Sequence, residues 1–209
     1  MTKMNKMKYK LIVFDLDGTL IDSERLYTNA VYHSLNKYGY KITKKEARNL
    51  IGPKLQNQLE KLRVKHAGKV HEYAKKYVEA RISSLRACSN VDIVKDLSNK
   101  YTLILLSNSS KNFVLKCLNR FKIKNYFKEI FYGEKFTTKD IALKAIIKKY
   151  KVKAKEVVFV DDILINRKAA QKVKVKSYLA LDCSWDKAKL SGRERFVVRN
   201  LAELRRRLN

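Results

Sequence analysis

Five short segments of this chain are dominated by aliphatic, β-branched and aromatic residues: LIVF (11–14), TLILL (102–106), EIFYG (129–133), VVFV (157–160) and SYLAL (177–181). Near-continuous apolar runs of this length suit strands covered on both faces, as in a parallel sheet. Between the later runs lie helical patterns. Residues 110–121 repeat apolar positions at Phe113, Val114, Cys117, Leu118 and Phe121, and residues 139–150 do so at Ile141, Ala142, Ala145, Ile146 and Tyr150. Strand and helix in alternation imply right-handed crossovers and a doubly wound α/β domain. A last strand-like FVV (196–198) leads into NLAELRRRL, where Asn200 and Glu203 have capping-box spacing and Arg205 to Arg207 fall at the end that favours positive charge.

The interval from 23 to 90 breaks the alternation. LYTNAVYHSLNKY stops at Gly39, Thr43 and Glu46 have the spacing of another capping box, and helices are expected over 43–50, 53–63 and 67–86. Nearly seventy helical residues between the first and second strands predict a second, all-helical domain at 23–90, with the α/β core formed by 1–22 and 91–209.

Composition narrows the class further. The chain has 209 residues, 45% of them hydrophobic, which suits a folded core. No run approaches the roughly 18 apolar residues of a membrane span, so no membrane partner is expected. The basic start MTKMNKMKYK is followed by only four apolar residues before Asp15, which does not read as a signal peptide. Cys88, Cys117 and Cys183 lie far apart without a C-x-x-C pair, so a reduced, cytoplasmic protein with no cysteine-based zinc site is expected. Nothing specifies an assembly, and a monomer or weak dimer is expected. The net charge of +28 suggests attraction to polyanions. That excess is spread along the chain rather than gathered in a tail, which favours a general lysine bias; a nucleic-acid partner is kept as the rival account.

Ligands of open parallel sheets bind beyond the carboxyl ends of the strands. The first run ends in Asp15-Leu16-Asp17-Gly18-Thr19, the second in Ser107-Asn108-Ser109, and the fourth in Asp161-Asp162, while Lys139 opens the helix before the fourth. Asp15 and Asp17, two apart in extended chain, can face one way, and Gly18 permits a sharp turn after them. Acids gathered in one place need a cation, and hard oxygen ligands suit Mg²⁺ with a phosphate. Asp15 then serves as nucleophile on phosphorus and Asp17 as general acid and base, with Ser107 and Lys139 on the phosphoryl oxygens. Gly18, Thr19, Asn108 and Ser109, from the same turns, are further candidates to bind substrate.

These motifs resemble those of the haloacid dehalogenase-like superfamily, within it the phosphoglycolate phosphatase and β-phosphoglucomutase group with a helical cap. D-x-D-G-T stands unbroken at Asp15 to Thr19, LILLSNS ends in the expected hydroxyl, Lys139 opens its helix, and VVFVDDILIN carries the last acids, all in the family's order. The resemblance implies an aspartyl-phosphate at Asp15, and Mg²⁺ on the Asp15 carboxylate, the Asp17 backbone carbonyl and Asp162, with Asp161 beside it. It also implies a cap at 23–90 that closes over a small phosphorylated metabolite.

The chain departs from the group in places. The third motif lacks a Lys-Pro pair, so Lys135 competes with Lys139, which is preferred because it opens the helix. Asn166 stands where many relatives have a further Asp, and RACSNVDIVKDL lacks Pro-Gly punctuation. Arg48, Lys54 and Lys61 lie where the group places substrate contacts, although each also reads as a solvated helix face. His33, His66 and His71 have no mutual metal spacing. The expected activity is a Mg²⁺-dependent phosphatase for a small phosphate monoester. Rival readings are a phosphatase for nucleotide or nucleic-acid ends, a sugar phosphomutase, and a nucleic-acid-binding protein on this scaffold.

Overall fold

The computed structural model describes residues 8–186 and 196–208; the basic segment before residue 8 lies outside them. Strand β1 (Leu11–Phe14) is followed by a two-residue β2 (Ile21–Asp22) and by helices α1 (Glu24–Lys37), α2 (Lys44–Asn49), α3 (Leu55–Lys61) and α4 (Ala67–Glu79). The chain returns through β3 (Arg86–Ala87), then alternates α5 (Ile93–Ser98), β4 (Thr102–Leu106), α6 (Lys111–Arg120), β5 (Glu129–Phe131), α7 (Lys139–Lys149), β6 (Val157–Asp161), α8 (Leu164–Lys172) and β7 (Lys176–Ala180). Strand β8 (Val197–Val198) and helix α9 (Leu201–Leu208) end the described chain.

Six strands form one parallel sheet in the order β5-β4-β1-β6-β7-β8. The central strands β1, β4 and β6 are almost wholly apolar because both faces are covered. Ile12 and Phe14 of β1, Leu103 and Leu105 of β4, and Val158 and Val160 of β6 enter one core layer with residues of α5, α6 and α9. Leu11 and Val13, Ile104 and Leu106, and Val157 and Phe159 enter the other, with Ala142, Leu143 and Ile146 of α7 and Ala170 of α8. After β1 the chain adds strands on one side, β4 then β5, and crosses back to β6 on the other. The crevice where the order reverses lies at the carboxyl end of β1.

Helices α1 to α4 gather around Val31, Leu35, Ala47, Leu59 and Val70. Their inner residues Leu26, Ala30, Ala74 and Val78 join the core layer on the sheet instead. The Thr43 capping box is present: the hydroxyl accepts from Glu46 N at 3.2 Å and Glu46 Oε2 accepts from Thr43 N at 2.7 Å. At α9 the reciprocal bond shifts by one residue. Asn200 accepts from Glu203 N, but Glu203 accepts from Arg199 N. Arg205 and Arg207 pair with Asp96 and Glu203, which accounts for two of the three consecutive arginines locally.

Three expectations are corrected. Helix α4 ends at Glu79 rather than 86, because Ile82 and Leu85 must turn inward to the sheet-side core. Strand β5 ends at Phe131 because the Gly133 N–H leaves the ladder and donates to the Ser109 carbonyl at 2.8 Å. Cys88 and Cys183 are not free thiols: they form a disulfide with Cα atoms 5.9 Å apart, and buried Cys117 is the free cysteine among the described residues.

The disulfide spans 95 residues and ties the return from the helical unit to the segment after β7. Closing so long a loop restricts the unfolded chain, so reduction is expected to lower stability by about 2–5 kcal/mol. Urea unfolding with and without a thiol reductant tests this, and Cys183→Ser should match the reduced protein.

Candidate active site

The carboxyl end of the sheet brings the predicted residues of four segments together. Asp15 and Asp17 follow β1, Ser107 follows β4, Lys139 opens α7, and Asp161 and Asp162 end or follow β6. All six are buried. Lys139 Nζ lies between two carboxylates, donating to Asp15 Oδ1 and Asp161 Oδ2 at 2.7 Å each. The other oxygen of Asp161 accepts from Ile163 N at 2.9 Å and Asn166 Nδ2 at 3.0 Å. Asn166 thus orients Asp161 where a further carboxylate would have added charge. Lys135 instead donates to the Ile130 carbonyl at 3.0 Å from an exposed position.

Asp162 is held from the segment after β7. Its Oδ2 accepts from Trp185 N and its carbonyl from Ser184 Oγ, both at 2.8 Å. Its Oδ1 is buried without a hydrogen-bond partner among the described residues. Gly18, at φ +74°, passes so close that a Cβ there would lie 2.2 Å from Asp162 Oδ2 and 2.9 Å from Trp185 Cδ1. The glycine therefore serves close approach as well as the turn.

Asp17 has a different environment. Ser23 Oγ donates to Oδ1 at 2.7 Å, while Ser109 Oγ at 2.6 Å and Ser107 Oγ at 3.4 Å donate to Oδ2. Ser23 occupies the N-cap position of α1 but makes no side-chain cap, because its hydroxyl is turned to Asp17. Behind Ser109 stands the Tyr27 hydroxyl at 2.7 Å.

Burial dominates the electrostatics. It pushes the Asp15 carboxyl up to about 8; Lys139 opposes this, and the charges of Asp161 and Asp17 add to it. Asp162 is raised well above its usual range by burial and then by Asp161 and Asp15. Asp17 is raised by burial against its hydroxyl donors. Burial would lower Lys139, but Asp15 and Asp161 outweigh it and keep the ammonium charged. One cation thus faces an excess of buried acid. Asp15, Asp161 and Asp162 each offer an oxygen, all within 4.8 Å of one another. That donor set, with the orphaned Asp162 oxygen, fits a hard divalent cation.

A cleft opens over this edge, lined by Asp15, Asp17, Asn108, Ser109, Lys139 and residues of the helical unit. Lys54 lines it, but its Nζ donates to the carbonyls of Gly133, at 2.5 Å, and Phe136. Arg48 pairs with Glu24 and donates to the Trp185 carbonyl at 3.1 Å, lining an adjoining pocket. Gly18 and Thr19 are not among the residues lining the cleft. Ser23, Tyr27, Ser184 and Trp185 escaped sequence reasoning, since Ser23 and Tyr27 come from the start of α1 and Ser184 and Trp185 from the segment after β7, outside the strand ends that the motifs mark.

Comparison with known proteins agrees with this geometry. The family profile described as haloacid dehalogenase-like hydrolase matches residues 12–180. A phosphoglycolate phosphatase of Vibrio parahaemolyticus is 28% identical over 180 residues, covering 76% of this chain and 78% of that one. One from Aliivibrio fischeri is 28% identical over 186 residues, covering 78% and 79%. The structure of a haloacid dehalogenase-like family hydrolase from Streptococcus pneumoniae superposes with a TM-score of 0.81 at 16% identity, over 98% of this chain and all of that one.

Because the Asp15 carboxyl titrates near 8 when folded and at 3.8 when unfolded, the native state holds more protons between these values. This group therefore makes stability fall as pH rises through that window in cation-free protein. A divalent cation displaces those protons and should flatten the slope. Urea midpoints from pH 5 to pH 8, with EDTA or with cation, measure this. A cation-free midpoint that rises with pH would contradict the account, and Asp162→Asn should remove the cation's effect.

Proposed function

The chain belongs to the haloacid dehalogenase-like hydrolases and is a phosphatase, a phosphoric monoester hydrolase; from that premise we propose that it cleaves a small phosphate monoester with Mg²⁺ through an aspartyl-phosphate at Asp15. One observation carries the reading: Lys139 is held between Asp15 and Asp161 at the sheet edge, and the neighbouring Asp162 has an oxygen with no hydrogen-bond partner among the described residues. Asp15, Asp162 and the Asp17 carbonyl would hold Mg²⁺, with Asp161 beside them. The bound ion would neutralise phosphoryl charge and orient the group for in-line displacement.

The chain's own residues divide the remaining work. An Asp15 carboxylate oxygen attacks phosphorus as the bond to the ester oxygen breaks. Asp17, which burial keeps toward its protonated form, gives its proton to the departing alkoxide. The resulting Asp17 carboxylate then takes a proton from the water that attacks the phosphorus of the aspartyl-phosphate. Phosphate leaves, and both acids return to their starting state. Ser23 and Ser109 hold the Asp17 carboxyl in place throughout. Lys139 and Ser107 are assigned to the phosphoryl oxygens, with Asn108 and Ser109 beside them.

Residues 23–90 act in this reading as a cap on the core of 1–22 and 91–209. The seam is made by Lys54 on the Gly133 and Phe136 carbonyls, Asn108 on the Gly52 carbonyl at 3.2 Å, and Arg48 on Trp185. Since Arg48 and Lys54 are engaged there, neither is free to grip a polynucleotide, which favours a small substrate. Phosphoglycolate, named for the relatives, is the first substrate to test.

Phosphate release from p-nitrophenyl phosphate and a metabolite panel, with Mg²⁺ or EDTA, tests the reading. Asp15→Asn should lower Mg²⁺-dependent kcat at least about a thousandfold, and Asp17→Asn by about 10²–10⁴. No release from any ester with Mg²⁺ would overturn it.

A further inference from the structure

The floor and the roof of the cleft differ in chemistry. Asp15, Asp17, Asn108, Ser109 and Lys139 make a polar floor. Toward the helical unit the wall is Val31, Ile51, Leu55, Ala74 and Val78. Val31, Ala74 and Val78 are buried, so little of this wall faces bulk water. Three side chains with polar ends join it. Lys54 is occupied by the Gly133 and Phe136 carbonyls, and Lys75 lies 3.8 Å from Glu72. His71 is partly buried, which lowers its pKa and favours the neutral ring.

Aromatic rings complete the wall. Tyr27 and Trp185 both line the cleft, with ring centroids 5.6 Å apart and planes tilted by 51°. Trp185 is the single tryptophan of the chain, and its indole Nε1 is buried with no partner among the described residues. That N–H can satisfy one acceptor. Sugars and polyols carry several hydroxyls on the carbons next to the phosphate, each needing a partner once water is displaced. The Tyr27 hydroxyl, Ser110 Oγ and Asn166 Nδ2 also line the cleft but are engaged by Ser109, Glu79 and Asp161, so among the described residues roof and wall offer few uncommitted donors and acceptors for them.

We propose that the substrate is a phosphate monoester of an apolar alcohol, its hydrocarbon or aromatic body lying between the Tyr27–Trp185 wall and the Val31 and Val78 side of the roof, rather than a sugar or polyol phosphate. This rests on the phosphatase reading for the phosphoryl end and adds the class of the leaving group. Any polar substituent is confined to one group, placed to meet His71 and Lys75 or the indole N–H of Trp185.

Two measurements on the full Mg²⁺-supplied protein test it. In the first, Trp185 emission, which reports the cleft alone because no other tryptophan exists, is titrated with non-hydrolysable phosphonates. The pair is 3-phenylpropylphosphonate and the phosphonomethyl isostere of glucose 6-phosphate. In the second, kcat/KM is compared for 2-phenylethyl and cyclohexylmethyl phosphates against glucose 6-phosphate and glycerol 3-phosphate. All leave as primary alkoxides, so leaving-group reactivity does not set the ratio.

The apolar member is expected to win by at least about a hundredfold in both series, the scale at which an apolar pocket rejects even one hydroxyl. Val78→Thr, which keeps the side-chain shape and adds a hydroxyl to the roof, should narrow that ratio. Ala74→Ser gives a second variant of the same kind. Equal or better use of the sugar and glycerol esters overturns this inference and leaves the phosphatase reading standing. Tight binding of the apolar phosphonate without cleavage of any ester supports the ligand class and overturns the phosphatase reading. Failure of both phosphonates to bind, with no ester cleaved, overturns both.

Discussion

The ammonium of Lys139 is the interaction on which the rest of the site depends. A parallel sheet delivers the carboxyl ends of its strands to one edge, and here two of those ends carry acids that are buried. Without an opposite charge among them, Asp15 and Asp161 could be buried only as neutral acids. By donating 2.7 Å bonds to both, Lys139 keeps a share of the charge in place and fixes the spacing of β1 and β6 at their ends. It does not balance the cluster. The remaining excess, which includes Asp162, suits the site to a hard divalent cation, the ion that the proposed reaction would use.

The acids are separated by environment rather than by type. Asp15 and Asp161 face an ammonium, Asp162 faces a backbone N–H with one oxygen while the other has no hydrogen-bond partner among the described residues, and Asp17 faces three hydroxyls. A carboxyl held by hydroxyls in a buried setting can pass a proton in either direction, whereas one pinned by an ammonium is better suited to remain a nucleophile or ligand. The proposed division of labour between residues two apart in the chain therefore rests on what the third dimension sets against each.

The segment after β7 links site and helical unit. Ser184 and Trp185 hold Asp162, the Trp185 carbonyl receives Arg48 from α2, and the adjacent Cys183 is bonded to Cys88 on the return from the helices. A displacement of this segment would be felt at once by a carboxylate, by the aromatic wall of the cleft and by the seam between the two parts of the chain.

The amino-acid sequence alone determined the sheet, its two-sided burial and the gathering of Asp15, Asp17, Ser107, Lys139, Asp161 and Asp162, because apolar period and strand-end position are local properties read along the chain. It also marked the helical interval and the Thr43 cap. The two-residue β2 and β3 and the six-residue α5 were not legible, since they are too short to show a period and exist only by pairing or packing. Tertiary structure decided the rest: that Lys139 and not Lys135 reaches the acids, that Ser23 abandons its cap for Asp17, that Asn166 serves Asp161, that Arg48 and Lys54 close a seam, and that Cys88 meets Cys183. Each of these contacts joins residues through side-chain reach or across long stretches of chain. A sequence states which groups are present, but distance and burial, which set their charge and their partners, come only from folding.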